Sequence, residues 1–144
     1  MSGEGQQELV AGFYENFNSG DIDAAVSRFS TELETTDPGM GTVHGHEPFR
    51  EYLEVFKRAM PDAHAIIERL ADAGDTVTVE GRFVATHTGP LATPDGDVAP
   101  TGASVDLRFA DFSRVQGGKI VSYHTYYDQL GLLTQLGLMG EPDE

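Results

Sequence analysis

Apolar residues recur at intervals of three and four in the early part of the chain and at intervals of two afterwards, and that change of period separates helices from strands. Leu9, Val10, Phe13, Tyr14 and Phe17 lay one apolar stripe along a helix from about Gln6 to Asn18. Ser19-Gly20-Asp21 supplies a glycine stop and a capping aspartate, after which Ile22, Val26 and Phe29 mark a short second helix. A third helix opens at Pro48, whose fixed φ suits the first helical position. It carries Phe49, Tyr52, Leu53 and Phe56 on one face and ends before Pro61.

From there the period of two predicts strands at 63–70, 76–87, 104–114 and 120–127, with a short strand near 32–36. Ala73-Gly74-Asp75 and Gln116-Gly117-Gly118-Lys119 read as hairpin turns, and the Gly- and Pro-rich stretch 88–103 as a loop arching over a sheet edge. Helices followed by a run of hairpin strands give an α+β fold, a curved and mostly antiparallel sheet wrapped around the N-terminal helices with a cavity between them. In the last strand, uninterrupted alternation puts His124, Tyr126 and Asp128 on the cavity side and Val121, Tyr123 and Tyr127 on the other. Both sets are too bulky to leave bare, so the outer face is expected to be covered by a second copy, making a homodimer.

The 144 residues suit one domain, with an ordered core over about 6–138 and a loose tail at 140–144. Acidic residues outnumber basic ones by 24 to 9, and a formal charge of −15 argues against nucleic acid and anionic membrane surfaces as partners. The absence of cysteine removes disulfides, thiolate metal sites and a thiol nucleophile. No leader-like start and no run of 18 apolar residues is visible, so a cytoplasmic protein is expected.

Two carboxylates stand out as candidate chemistry. Asp128 ends the aromatic run Tyr123-His124-Thr125-Tyr126-Tyr127; partly withdrawn from water, it would hold its proton toward neutrality and serve as base and then acid. The competing reading is that it caps the following helix. Asp111 interrupts the single-parity row Val105, Leu107, Phe109, where a charge needs a partner or water, and pairing with Arg108 or Arg114 is its structural reading. Tyr14, Phe56 and Phe109 read as core residues that also line a pocket, with His124 and Tyr126 beside them. His44 and His46, near Asp37, invite a metal reading that lacks any further spaced histidine, so no metal is expected. His44 is kept as a pocket candidate and His46 or Glu47 as the helix start. His87 ends a strand and reaches toward a pocket rim, or is a hydrogen-bonded turn residue. There is no serine elbow, phosphate loop or dinucleotide fingerprint, which favours acid/base chemistry without a cofactor.

The ordered set Val43-His44-Gly45-His46-Glu47, Met60-Pro61-Asp62, Thr86-His87-Thr88-Gly89, Pro100-Thr101-Gly102, Gly118-Lys119-Ile120 and Asp128 through Gln135-Leu136-Gly137 resembles the SnoaL-like polyketide cyclase family of the nuclear transport factor 2-like superfamily. The resemblance implies a cone-shaped barrel, usually dimeric. Its cyclase members close a ring on an apolar polyketide by intramolecular aldol condensation, without cofactor or metal. It makes Asp128 the counterpart of the family's catalytic aspartate. The chain departs from the pattern at Asp111, where the family often has histidine. A limonene-epoxide-hydrolase-like enzyme is ranked lower, because Arg82 is followed by Val84 with no aspartate on that strand. The same fold would also suit a ketosteroid-isomerase-like proton shuttle or a non-catalytic module binding an apolar small molecule.

Overall fold

The computed structural model describes residues 3–93 and 95–138. The tail expected at 140–144 lies outside the described residues. Helices α1 (Gly3–Ser19), α2 (Ile22–Ser27) and α3 (His46–Ala59) are interleaved with strands β1 (Phe29–Asp37) and β2 (Gly41–His44). Strands β3 (His64–Ala73), β4 (Thr76–Thr86), β5 (Leu91–Thr93), β6 (Gly96–Val98), β7 (Ser104–Gln116) and β8 (Lys119–Tyr127) follow, before the short α4 (Gln129–Gln135).

Several boundaries differ from the periodicity. Phe29 opens β1 instead of closing α2, because its neighbours Leu33, Thr35 and Asp37 bury every second side chain. Glycine at 45, with φ of 91°, caps α3, so the helix begins at His46, two residues before Pro48. The loop at 88–103 contains the small hairpin β5–β6.

Six strands form one sheet in the order β2-β1-β8-β7-β4-β3, antiparallel except for the β1–β8 pair. Its inner face packs on α1 and α3. The rings of Phe13, Phe29, Phe49 and Tyr123 meet at the centre, every centroid within 6.0 Å of the others. Gly81 lets the sheet close: a Cβ there would lie 2.2 Å from the Ile66 carbonyl and about 3.0 Å from the Phe109 ring. No helix among the described residues is long and apolar enough to cross a membrane.

Strand β8 is rotated relative to simple alternation. Gln116 faces Lys119 and Val115 faces Ile120 across the hairpin, but the next pair is Arg114 with Ser122. Val121 is therefore an extra residue, a β-bulge, and every side chain beyond it changes face. Tyr123, Thr125 and Tyr127 point inward with Phe109 and Asp111; His124 and Tyr126 point outward. The expectation for His124 and Tyr126 is thus corrected: Tyr126 is half exposed and packs edge-on against Phe112, and His124 bonds Glu34.

Two of the sequence signals near the loop prove to bind each other. His87 is fully buried; its Nδ1 accepts from the Thr101 backbone N–H at 3.2 Å and lies 3.0 Å from the Thr101 hydroxyl. The Gly102 N–H donates to the His87 carbonyl. On the other side Thr88 and Gly89 donate to the Ala59 carbonyl, and Gly89 passes so close that a Cβ would sit 2.0 Å from the Arg58 carbonyl oxygen. These contacts fasten the loop to the end of α3. His87 is a clasp, and it is not part of the pocket wall.

Candidate active site

Between the inner sheet face and the helices lies an apolar pocket enclosing about 650 Å³ of empty space, its open mouth included. Phe17, Phe56, Phe83, Phe109 and Leu107 supply much of the apolar wall. Of the residues singled out in the sequence, Tyr14, Phe56, Phe109 and Asp111 meet here.

Asp111 is the polar centre of this wall. The alternation of β7 buries it with Val105, Leu107 and Phe109, leaving it 1 % exposed. Tyr14 donates from α1 to its Oδ2 at 2.5 Å, and Tyr123 donates from β8 to the same atom at 2.9 Å. Oδ1 keeps no hydrogen-bond partner among the described residues. Neither arginine considered in the sequence reaches it: Arg108 pairs with Glu68. Burial pushes the carboxyl up to about 6, with the Thr125, Tyr14 and Tyr123 hydroxyls holding it back and the charge of Asp37 adding to the rise. Burial and the adjoining carboxylate likewise push both phenols well above their ordinary range, so Tyr14 and Tyr123 stay protonated donors. A carboxyl with a raised pKa, one free oxygen and an apolar pocket before it can take a proton from a bound carbon acid near neutral pH and return it.

A second carboxylate stands nearby, and sequence periodicity alone does not reveal its role. Asp37, 3 % exposed, ends β1 and accepts at Oδ1 from the N–H groups of Gly39 at 2.7 Å and Met40 at 3.0 Å. Tyr52 donates to its Oδ2 at 2.8 Å. Tyr127 also interacts with this carboxylate, and burial, more than Asp37, raises its phenol. Tyr52 and Tyr127 both line the pocket. The signal available in the sequence is the row Phe29, Leu33 and Thr35 that ends on Asp37; the bulge at Val121 hides Tyr127.

Asp128 stands elsewhere. It is exposed, and its Oδ1 accepts from the Gly131 N–H at 2.8 Å as the N-cap of α4, the competing reading of this residue. It does not line the pocket. Asp128→Ala is expected to lower stability by about 1 kcal/mol through loss of that cap, whereas Asp128→Asn should keep it. Urea denaturation of both variants measures the difference, and equal losses would dissociate the residue from capping. His44 lies on β2 with its ring 3.9 Å from Glu34, also outside the pocket, and His46 donates from Nε2 to the Phe29 carbonyl. Arg82 forms a two-point pair with Asp106, at 2.5 and 3.0 Å, on the exposed face. Among the described residues no group of three or more His, Asp or Glu side chains is placed to hold a metal ion.

A profile of the SnoaL-like polyketide cyclase family matches residues 8–136. Among solved structures, a candidate SnoaL-like polyketide cyclase from Jannaschia Sp. CCS1 superposes with a TM-score of 0.84 at 18% identity, covering 98% of each chain. AclR from Streptomyces galilaeus, described as a candidate hydroxylase, gives 0.82 at 20% identity over 99% of this chain and 91% of its own. IdmH from Streptomyces antibioticus, a candidate polyketide cyclase, gives 0.77 at 27% identity over 92% and 98%. No curated protein matches the sequence.

Proposed function

Because the chain belongs to the SnoaL-like polyketide cyclase family, we propose that it is an acid/base enzyme closing a ring on an apolar carbonyl substrate, with Asp111 as the group that moves the proton. The observation that carries this reading is a buried carboxyl, raised to about 6, facing an aromatic pocket with one oxygen free. The Asp111 carboxylate removes a proton from the carbon beside an ester carbonyl. The enolate attacks a ketone of the same molecule, forming the carbon–carbon bond, and Asp111 returns its proton to the new alkoxide. The aromatic wall holds the chain folded so that the two carbons meet, which supplies rate through orientation. Asp128, on the surface at the start of α4, takes no part in this scheme.

Incubation with an anthraquinone-type β-keto ester, followed by absorbance and mass spectrometry, tests the proposal. Ring closure by the wild-type protein, retained at near wild-type rate in Asp128→Asn, is the expected result. Closure that disappears in Asp128→Asn would transfer the chemistry to that residue.

The same reading includes a homodimer formed through the outer sheet face. Phe112 and Tyr126 are 43% and 50% exposed there, side by side, on a face otherwise carrying Arg82, Asp106, Arg108 and Glu68. Light scattering is expected to give twice the chain mass for the wild-type protein and a monomer for Tyr126→Glu; an unshifted dimer in the variant would place the contact elsewhere.

A further inference from the structure

The charge that Asp111 carries when ionised has no opposite charge in the pocket. Tyr14 and Tyr123 both donate to Oδ2, so the carboxylate is supported at one oxygen. Of the described residues that line the pocket, Asp111 alone keeps a buried side-chain oxygen without a hydrogen-bond partner, and no lysine, arginine or histidine is among them. Lys57 reaches the ring of Phe17 but does not line the pocket, and its ammonium is bound to the Ala63 carbonyl. A buried anion in this position costs free energy until a cation completes it. The wall suits one: Tyr14 and Phe109 stack at 6.1 Å and Phe56 meets Phe83 edge-on at 5.9 Å, and aromatic faces attract a desolvated ammonium.

We infer that the pocket also binds a tertiary ammonium group carried on an apolar ring, its N–H donated to Oδ1 of Asp111 and its N-alkyl groups packed on the aromatic wall. A tertiary ammonium brings one N–H, matching the one free oxygen; a primary ammonium brings three and would bury two of them unpaired. Such a ligand occupies the oxygen assigned above to proton transfer and so competes with the carbonyl substrate, but its binding does not depend on the cyclase reading.

N,N-dimethylbenzylammonium and isobutylbenzene have the same shape and differ in the charged N–H, which is a C–H in the hydrocarbon. Ligand NMR with increasing protein measures both dissociation constants at about pH 7.5, where Asp111 is ionised. The wild-type protein is expected to bind the ammonium more tightly, and in Asp111→Asn the ratio of the two constants should fall about tenfold, the worth of a hydrogen bond to a charged group. In the wild-type complex the N-methyl protons should show nuclear Overhauser contacts to the rings of Tyr14 and Phe109, a readout that does not require the variant to fold. Tighter binding of the hydrocarbon by the wild-type protein overturns the inference. So does an unchanged ratio in folded Asp111→Asn, whose acidic surface still attracts cations, or contacts to the exposed Phe112 and Tyr126 in place of the pocket rings. An inactive protein that shows the expected ratio leaves the ammonium site standing and removes only the cyclase reading; an active one with an unchanged ratio does the reverse.

Discussion

Asp111→Asn is expected to slow turnover by about a thousandfold, the usual range for losing a positioned general base, while leaving the fold intact. The amide keeps an oxygen for the Tyr14 and Tyr123 hydroxyls but cannot accept a proton. In the wild-type protein the rate should rise with pH through about 6 as Asp111 ionises, and in the variant that inflection should vanish. Stability provides an independent reading. The folded pKa lies above the unfolded value near 4, so the folded chain binds the proton more tightly. The stability this gives is fully present below about pH 4, and it is lost as pH rises through about 6. Two units correspond to about 3 kcal/mol. Other carboxylates contribute as well, those held low, such as Asp62 with the Thr86 N–H, in the opposite sense and mainly below about pH 4. The quantity to measure is therefore the difference between wild type and variant in denaturant unfolding from pH 4 to 7. A slope common to both proteins would assign the pH dependence to those groups, and full activity in the variant would end the role of Asp111.

Phe49→Ala is the substitution expected to cost most in stability, about 3 to 5 kcal/mol, the range for deleting a fully buried aromatic ring. Phe49 has no exposed surface and touches Phe13, Phe29 and Tyr123, with a centroid distance of 4.4 Å to Phe29. The space it leaves borders the ring of Tyr123, whose hydroxyl holds Asp111. Folded variant protein should accordingly lose activity beyond the fraction unfolded. Urea unfolding read beside the specific activity measures both effects. A cost under about 1 kcal/mol would mean that the cluster repacks around the gap.

The helices and most of the strands are legible because each buries one face, and a buried face leaves its period in the sequence. Asp111 is legible for the same reason, standing on the apolar parity of β7. The outward placement of His124 and Tyr126 is not. Both parities of β8 carry aromatic residues, so alternation there has no apolar face to anchor it, and the inserted Val121 reverses the faces without changing the composition. Asp128 draws attention because it follows that run, yet helix capping, a local use of aspartate, accounts for its bond to Gly131. His87, Thr101 and Gly89 carry part of the family pattern, and their contacts show why a motif can mark architecture: they tie a loop to a helix end. Asp37 and its phenols are hidden for a different reason, since β1 joins the sheet beside β8, a long-range parallel pairing that no local pattern announces.

The two lysines bear on how the protein can be handled. Lys57 donates to the Ala63 carbonyl at 2.6 Å with its ammonium 4.6 Å from the centre of the Phe17 ring, and Lys119 donates to the Ser27 carbonyl at 2.7 Å. Phe17 belongs to the pocket wall. An amine-reactive dye or support that captures Lys57 therefore alters packing beside the cavity, and a surface prepared in that way would report a damaged binding site. A chain without cysteine offers a cleaner attachment: one thiol introduced in place of the exposed Gln116 would be the single anchor, at the end of β7 where the hairpin turns into β8.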